Sequence, residues 1–199
     1  MTRDTSRLDE QGQALVHAAT ELLATEGPEA LTVRRIAAGA GCSTMGLYSR
    51  FGGKDGVIEQ LWLDGFTRLG AAIAAVPITD DPLRDLEEVN ATYRKWALDN
   101  ATSYGIMFSR SVPDFIPSPD AKQLAASTFG VVVDAVRRAQ DKGHFPGLDP
   151  HDVAHVLWAL THGFTSLEIA GMTPVPERLP TRFELANQAI VAGLNQNPS

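Results

Sequence analysis

Several ingredients of common protein classes are scarce or absent in this sequence of 199 residues. Its single cysteine, Cys42, excludes an internal disulfide framework, and no Cys/His spacing resembles a structural zinc site. No apolar run approaches the roughly 20 residues that cross a bilayer, and the N-terminus lacks the apolar core of a secretion signal. These absences predict a soluble protein of a reducing, cytoplasmic compartment that has no membrane partner.

The patterns of catalysis are missing as well. The sequence has no Ser/His/Asp spacing, no paired carboxylates with a His partner and no phosphate-binding loop. His151 and His155 stand four apart on a predicted helix that also carries His162, so two of them could chelate a metal, but no third ligand follows at a compelling spacing. We therefore predict no enzyme activity, no metal site and no cofactor.

Acidic residues are missing from one stretch, Ala30–Lys54, which we call the acid-free window. It holds Arg34, Arg35, Arg50 and Lys54, although the chain has a formal net charge of -7. Residues 1–56 carry six Lys or Arg and seven Asp or Glu, whereas 57–199 carry eleven and seventeen, so the acidity belongs to the C-terminal part. Charge alone leaves open whether the window binds a polyanion or is a solvated face, and Arg35 in particular fits either.

The apolar spacing predicts an all-α fold of about nine helices, because no stretch shows sustained period-two alternation. Residues 171–178 are rich in turn formers and predict a connection. The predicted helices cover roughly 9–25, a segment from Thr32 through Ala38, a segment after Ser43, 54–75, a segment from Pro82, a short piece around 104–108, and then about 120–142, 151–170 and 179–194.

The two short helices inside the acid-free window predict a helix-turn-helix, with Gly41 supplying a positive-φ exit and Ser43 a cap. In this motif the N-terminal residues of the second helix meet base edges, and flanking groups meet phosphates. Leu47 and Phe51 share the buried face, which leaves the other side chains for DNA. The predicted contacts are Thr32, Arg34, Ser43, Thr44, Met45, Gly46, Tyr48, Ser49, Arg50 and Lys54.

Gly46 fits two explanations. Glycine inside a helix costs about 1 kcal/mol relative to Ala. The residue either lets the backbone approach DNA closely or is simply tolerated.

Residues Thr32–Lys54 resemble the N-terminal signature of the tetracycline-repressor (TetR) family, Thr-Val-Arg-x-Ile-Ala-x-x-Ala-Gly-Val-Ser-x-x-x-Leu-Tyr-x-x-Phe-x-x-Lys. Cys42 replaces the usual Val, which suits a small hydrophobe, and Gly46 stands where Thr or Ala is common. Further along, Trp158, His162 and Gly163 resemble the subgroup whose C-terminal domain is named for a Trp-His-Gly motif. The resemblance implies a DNA-binding domain over residues 1–56 and a helical ligand-binding and dimerisation domain over residues 57–199.

The resemblance also implies a ligand site among the helices after the DNA module and a dimer interface formed by the last two helices. The ligand candidates, for each of which ordinary core packing is the alternative, are Trp62, Phe66, Trp96, Met107, Phe108, Phe129, Trp158 and His162. The interface candidates are Ala154, Leu157, Phe164, Leu167, Leu185, Ala189, Ile190 and Leu194.

Together these patterns predict a homodimeric repressor in the bacterial cytoplasm that binds a palindromic double-stranded DNA operator at the nucleoid. A small, lipophilic effector in the C-terminal domain releases it, with the fourth helix as the lever between the domains. Two alternatives stay open: an activator of the same family, and a helical small-molecule-binding protein whose DNA module does not function.

Overall fold

The computed structural model describes residues 8–108, 112 and 115–196. Over these residues the chain forms nine α-helices, two short 3-10 helices and no strand, which confirms the predicted all-α class. The 3-10 helices are Pro28–Ala30 and Pro176–Arg178. The α-helices are α1 Glu10–Glu26, α2 Val33–Gly39, α3 Thr44–Phe51, α4 Lys54–Ala74, α5 Pro82–Asp99, α6 Ala101–Phe108, α7 Pro119–Asp141, α8 Pro150–Ile169 and α9 Leu179–Asn195.

The observed helix ends follow the predicted ones closely, with α6 as the main exception. This helix begins at Ala101 rather than near Tyr104. The side-chain amide of Asn100 donates to the carbonyl of Trp96 at 2.8 Å and ends α5, so the next residue can open α6 at once. The predicted 171–178 connection ends in a 3-10 turn.

The chain packs as two compact units. The N-terminal unit comprises the described residues of Met1–Phe66 with Thr102–Leu124, and the C-terminal unit comprises those of Thr67–Ala101 with Ala125–Ser199. Helices α4 and α7 each contribute residues to both units. The domain boundary between residues 56 and 57 stays a prediction.

Side-chain caps define where the first three helices begin. Asp9, Thr32 and Ser43 each accept a hydrogen bond from the backbone N–H three residues further on, at 2.7, 3.3 and 3.1 Å. Such caps satisfy backbone donors that have no partner within the helix. Helices as short as α2 and α3 therefore start at a fixed residue.

The core of the N-terminal unit joins α1 to both α2 and α3. Leu15, Ile36 and Leu47, one from each helix, have no exposed surface. Full burial of such a side chain contributes about 1.5–3 kcal/mol. These contacts hold α3 in one orientation on the other two helices.

In the C-terminal unit, α8 packs against both α5 and α9. Most of the buried side chains are apolar, but Asn90 of α5 and Asn187 of α9 are buried too, and their amides share a hydrogen bond of 3.1 Å. A hydrogen bond offsets the cost of removing two polar groups from water. None of the described helices is long and apolar enough to cross a membrane.

Candidate nucleic-acid interface

The turn between α2 and α3 has the geometry that the sequence predicts. Gly41 has a φ of 64°, in the left-handed region where glycine is favoured. The N–H of Cys42 then bonds back to the carbonyl of Ala37 at 2.9 Å, and Ser43 caps α3. Two short helices are thus joined by a tight, hydrogen-bonded turn.

Helix α3 has one buried and one exposed face. Leu47 is fully buried and Phe51 is partly buried, whereas 74% of Met45 and 52% of Tyr48 are exposed. Ser43, Thr44 and Ser49 are exposed as well. An exposed face that begins at a helix N-terminus is the one that a helix-turn-helix presents to the major groove.

Gly46 is not required by the packing of α3. A Cβ atom there would lie 3.6 Å from the Ser43 Oγ and 3.8 Å from the Cys42 Sγ, which is ordinary van der Waals contact. The fold would therefore accept Ala at this position. Packing within the fold therefore does not decide between the two explanations for Gly46.

Two of the four cations in the acid-free window have acidic partners at the ends of α1. Arg50 pairs with Asp9, with 2.8 Å between Nη2 and Oδ2, and Arg35 pairs with Glu26. The hydrogen bonds from these guanidinium groups hold the pKa values of Asp9 and Glu26 below the usual range of carboxyl groups. The acid-free window has no acidic residue in its sequence, but in the fold two of its arginines lie against acidic residues from outside it.

The other two cations make no ion pair with any residue that the structure describes. Arg34 is exposed on α2, and Lys54 is partly exposed at the first position of α4. The Thr32 hydroxyl accepts the N–H of Arg35 as the cap of α2 and keeps its own proton for donation. Among the four cations of the acid-free window, Arg34 and Lys54 are therefore the two without an acidic partner in the described part of the chain.

Comparison with known families decides the class of protein. Residues 15–61 match the bacterial regulatory proteins of the tetR family. Residues 86–190, more than half of the chain, match the tetracyclin repressor-like C-terminal domain. The chain belongs to the TetR family. Its architecture is therefore a TetR N-terminal DNA-binding domain followed by a helical C-terminal domain.

Solved structures share the fold of this TetR family member. A protein of unknown function from Rhodococcus sp. RHA1 has a TM-score of 0.79 at 22% identity, covering 98% of this chain and 100% of that one. The fatty acid degradation regulator FadR from Bacillus halodurans has a TM-score of 0.77 at 15% identity, covering 96% and 100%. The TetR family transcriptional regulator PfmR from Thermus thermophilus has a TM-score of 0.67 at 21% identity, covering 92% and 99%.

At these identities the likeness concerns the fold alone. No curated protein matches the sequence. Assignment of this TetR family protein to the Trp-His-Gly subgroup stays a prediction.

The predicted ligand residues of this TetR family protein fall into two groups. Trp62, Phe66, Met107 and Phe108 belong to the N-terminal unit, where ring centroids lie 4.4 Å apart for Trp62 and Phe66 and 5.4 Å apart for Phe66 and Phe108. The C-terminal unit contains the other four, Trp96, Phe129, Trp158 and His162. There the ring centroids of Trp158 and His162 are 5.5 Å apart, and those of Phe129 and Trp158 are 6.0 Å apart. Trp96, the fourth of that group, is buried.

Tyr93 of α5 connects the Trp-His-Gly residues and is absent from the predicted ligand set. Its hydroxyl accepts a hydrogen bond from the Trp158 Nε1 and lies 3.3 Å from both that atom and the His162 Nδ1. The His162 Nε2 lies 3.4 Å from the Ser166 hydroxyl. A neutral His162 with its proton on Nε2 satisfies all three neighbours, because Tyr93 then donates to Nδ1. No group of three His, Cys, Asp or Glu residues in the described part of the chain could hold a metal ion.

We expect His162 to make stability depend on pH. Burial lowers its pKa from the ordinary value of 6.5, so the folded chain resists a proton that the unfolded chain binds. Stability should therefore fall as the pH drops through about 6.5 and level off below the lowered pKa. Urea denaturation between pH 5 and 8 checks this. His162→Gln should lose that part of the pH dependence, and an unchanged profile would contradict the assignment to His162.

The predicted dimer residues differ in their exposure. Ala154 and Leu157 have no exposed surface, because α8 turns them into the core of its own unit, so this structure leaves neither side chain free to contact a second copy. Leu167 and Leu185 are 52% and 65% exposed. Among the remaining interface candidates, Ala189 is exposed, and three are partly exposed: Phe164, Ile190 and Leu194.

Proposed function

We propose that this TetR family transcriptional regulator is a homodimeric repressor that binds a palindromic DNA operator in the bacterial cytoplasm. The observation that carries the proposal is the exposed face of α3, which starts at a capped N-terminus and is held from behind by Leu47. Thr44 and Met45 are assigned to base edges, since a hydroxyl can bond to a base and Met45 can contact a thymine methyl. Gly46 allows the backbone to come close.

The phosphate contacts are assigned to Ser43 and Tyr48 through their hydroxyl groups, to the cap region of α2 at Thr32, and to Arg34 and Lys54 through charge. Ser49 joins them when its hydroxyl leaves the carbonyl of Gly46, to which it donates at 3.0 Å. Phosphate contacts set the register of a protein on DNA and most of its affinity. Arg50 can make a two-pronged phosphate contact through Nε and Nη2 only when it leaves Asp9, since that carboxylate accepts from both groups.

The unpaired cations should dominate the salt dependence of DNA binding. Each phosphate neutralised contributes about 0.9 to the slope of log affinity against log salt. We expect Arg34→Ala and Lys54→Ala each to make the slope shallower by about 1. Arg35→Ala should change it less, because Arg35 is already paired with Glu26.

Fluorescence anisotropy with a labelled duplex between 50 and 200 mM KCl gives these slopes. A slope that Lys54→Ala leaves unchanged would remove Lys54 from the phosphate contacts. A wild-type protein that binds no DNA at low salt would favour the alternative of a small-molecule-binding protein with a non-functional DNA module.

Dimerisation is proposed through the exposed apolar side chains of α8 and α9. Leu167, Ile169 and Leu185 are large, apolar and exposed in the single chain, and contact with a second copy would remove their apolar surface from water. Two copies would bring two recognition helices to two half-sites. A monomer in sedimentation equilibrium at micromolar concentration would contradict this part of the proposal.

Release by a small, lipophilic effector is proposed from the two aromatic groups. Apolar walls with a few polar anchors are typical of ligand sites, and the anchors here would be the groups around His162. FadR from Bacillus halodurans, a neighbour in fold, is a regulator of fatty acid degradation, so fatty acids are the first compounds to test.

The effector must bind a DNA-incompetent conformation better than the competent one, since equal affinity would shift nothing. Helix α4, which has residues in both units, is the proposed lever. Adding fatty acids to the protein–DNA complex should weaken it. A fatty acid that binds and leaves DNA affinity unchanged would contradict release, and a promoter assay separates repressor from activator.

A further inference from the structure

An acidic residue at each end of helix α1 pairs with an arginine of the acid-free window. Asp9, its N-cap, pairs with Arg50 of α3, and Glu26, its last residue, pairs with Arg35 of α2. All four side chains are in the N-terminal unit. The Asp9 pair concerns the recognition helix itself.

The Asp9 carboxylate binds Arg50 in the way that a phosphate would. The Arg50 Nε lies 3.1 and 3.2 Å from the two carboxylate oxygens, and Nη2 lies 2.8 Å from Oδ2. Its Nη1 donates to the carbonyl of Gly46 at 3.4 Å. A two-pronged contact of this kind is the one that arginine makes with carboxylates and phosphates alike. Asp9 therefore occupies the donors that a DNA backbone would use.

The pair is open to competition. The side chains of Arg50 and Asp9 are 31% and 60% exposed. Ion pairs that water can reach are weak and are screened by salt, so a phosphate in the same place can compete with Asp9.

We propose that Asp9 competes with DNA phosphates for Arg50 and so lowers affinity for DNA of arbitrary sequence. The inference rests on the proposed DNA-binding function. Affinity for arbitrary DNA comes almost wholly from phosphate contacts, whereas the exposed first turn of α3 contacts bases. Withholding one cation from the phosphates therefore weakens binding that does not depend on sequence.

Asp9→Asn separates the charge of this residue from its role as a cap. Asn caps helices about as well as Asp, so the bond from the Gly12 N–H and the start of α1 should persist. The probe is a labelled 30-base-pair duplex of random sequence, with affinities measured from 50 to 200 mM KCl. Asp9→Asn should bind more tightly than wild type and with a salt slope steeper by about 0.9, the contribution of one phosphate. Its advantage should then shrink about 3.5-fold over that salt range.

Two controls make the result specific to the Asp9–Arg50 pair. Glu10→Gln removes the same charge one residue along the chain, from a side chain that makes no ion pair with a described residue, and should shift the slope much less. In an Arg50→Gln background, Asp9→Asn should no longer steepen the slope. If thermal unfolding shows that Asp9→Asn is much less stable than wild type, the experiment uses Asp9→Ser instead, because Ser also caps helices well.

Each outcome decides a separate question. If wild type and Asp9→Asn bind with equal slopes, or if Asp9→Asn steepens the slope without Arg50, the inference about Asp9 is wrong and the proposed function stands. If neither protein binds the duplex at 50 mM KCl, the proposed DNA-binding function fails and the inference fails with it.

Discussion

Leu47→Ala should lower the free energy of unfolding by about 2–5 kcal/mol and abolish DNA binding at temperatures where wild type binds. Leu47 has no exposed surface and is the buried contact of α3 with the helices behind it. Its removal leaves a cavity at the position that fixes the recognition helix. Urea denaturation followed by circular dichroism gives the stability, and anisotropy with labelled DNA gives the binding.

Met45→Ala is the matched control on the same helix. Because 74% of Met45 is exposed, its truncation should change stability by less than about 0.5 kcal/mol. It should instead weaken discrimination at one base of the operator. Wild-type stability and DNA binding in Leu47→Ala would show that α3 is not held as described.

Phe145→Ala should destabilise the C-terminal unit by about 3–5 kcal/mol. Phe145 lies in the connection between α7 and α8 but is fully buried, with a φ of 51°. Its N–H donates to the side chain of Asn195 at 3.0 Å, which ties the connection to α9. Such a backbone conformation persists in a non-glycine residue only where surrounding contacts enforce it.

Phe145→Leu separates the loss of volume from the loss of the aromatic ring. Keeping most of the volume should limit the cost to less than about 1.5 kcal/mol. Urea denaturation of both variants measures the difference. A loss below about 1 kcal/mol in Phe145→Ala, well under the usual cost of such a truncation, would mean that this side chain does not anchor the connection.

The helix-turn-helix could be predicted because each of its signals is local. A cap acts on an N–H three residues away, Gly41 shapes its own turn, and apolar spacing marks the face that contains Leu47. These signals need no knowledge of the rest of the chain. The same is true of the helix starts at Asp9 and Thr32.

Contacts between distant residues could not be predicted in this way. Asp9 and Arg50 are 41 positions apart, and Tyr93 is 69 positions from His162. Periodicity says that a side chain faces inward or outward but not which helix it meets. For the same reason the sequence predicts a dimer surface at Ala154 and Leu157, which lie in the core, since small and apolar residues suit a subunit interface and a core equally.

The central claim is that the exposed face of α3, presented twice by a dimer, recognises a DNA sequence. Selection of bound duplexes from a random pool tests it most directly, with wild type and Tyr48→Ala compared in parallel. We predict that wild type enriches a palindrome whose half-site centres lie about one helical turn, or a multiple of it, apart. Tyr48→Ala should enrich it far more weakly. An enriched sequence without two-fold symmetry, or no enrichment by wild type, would contradict the account.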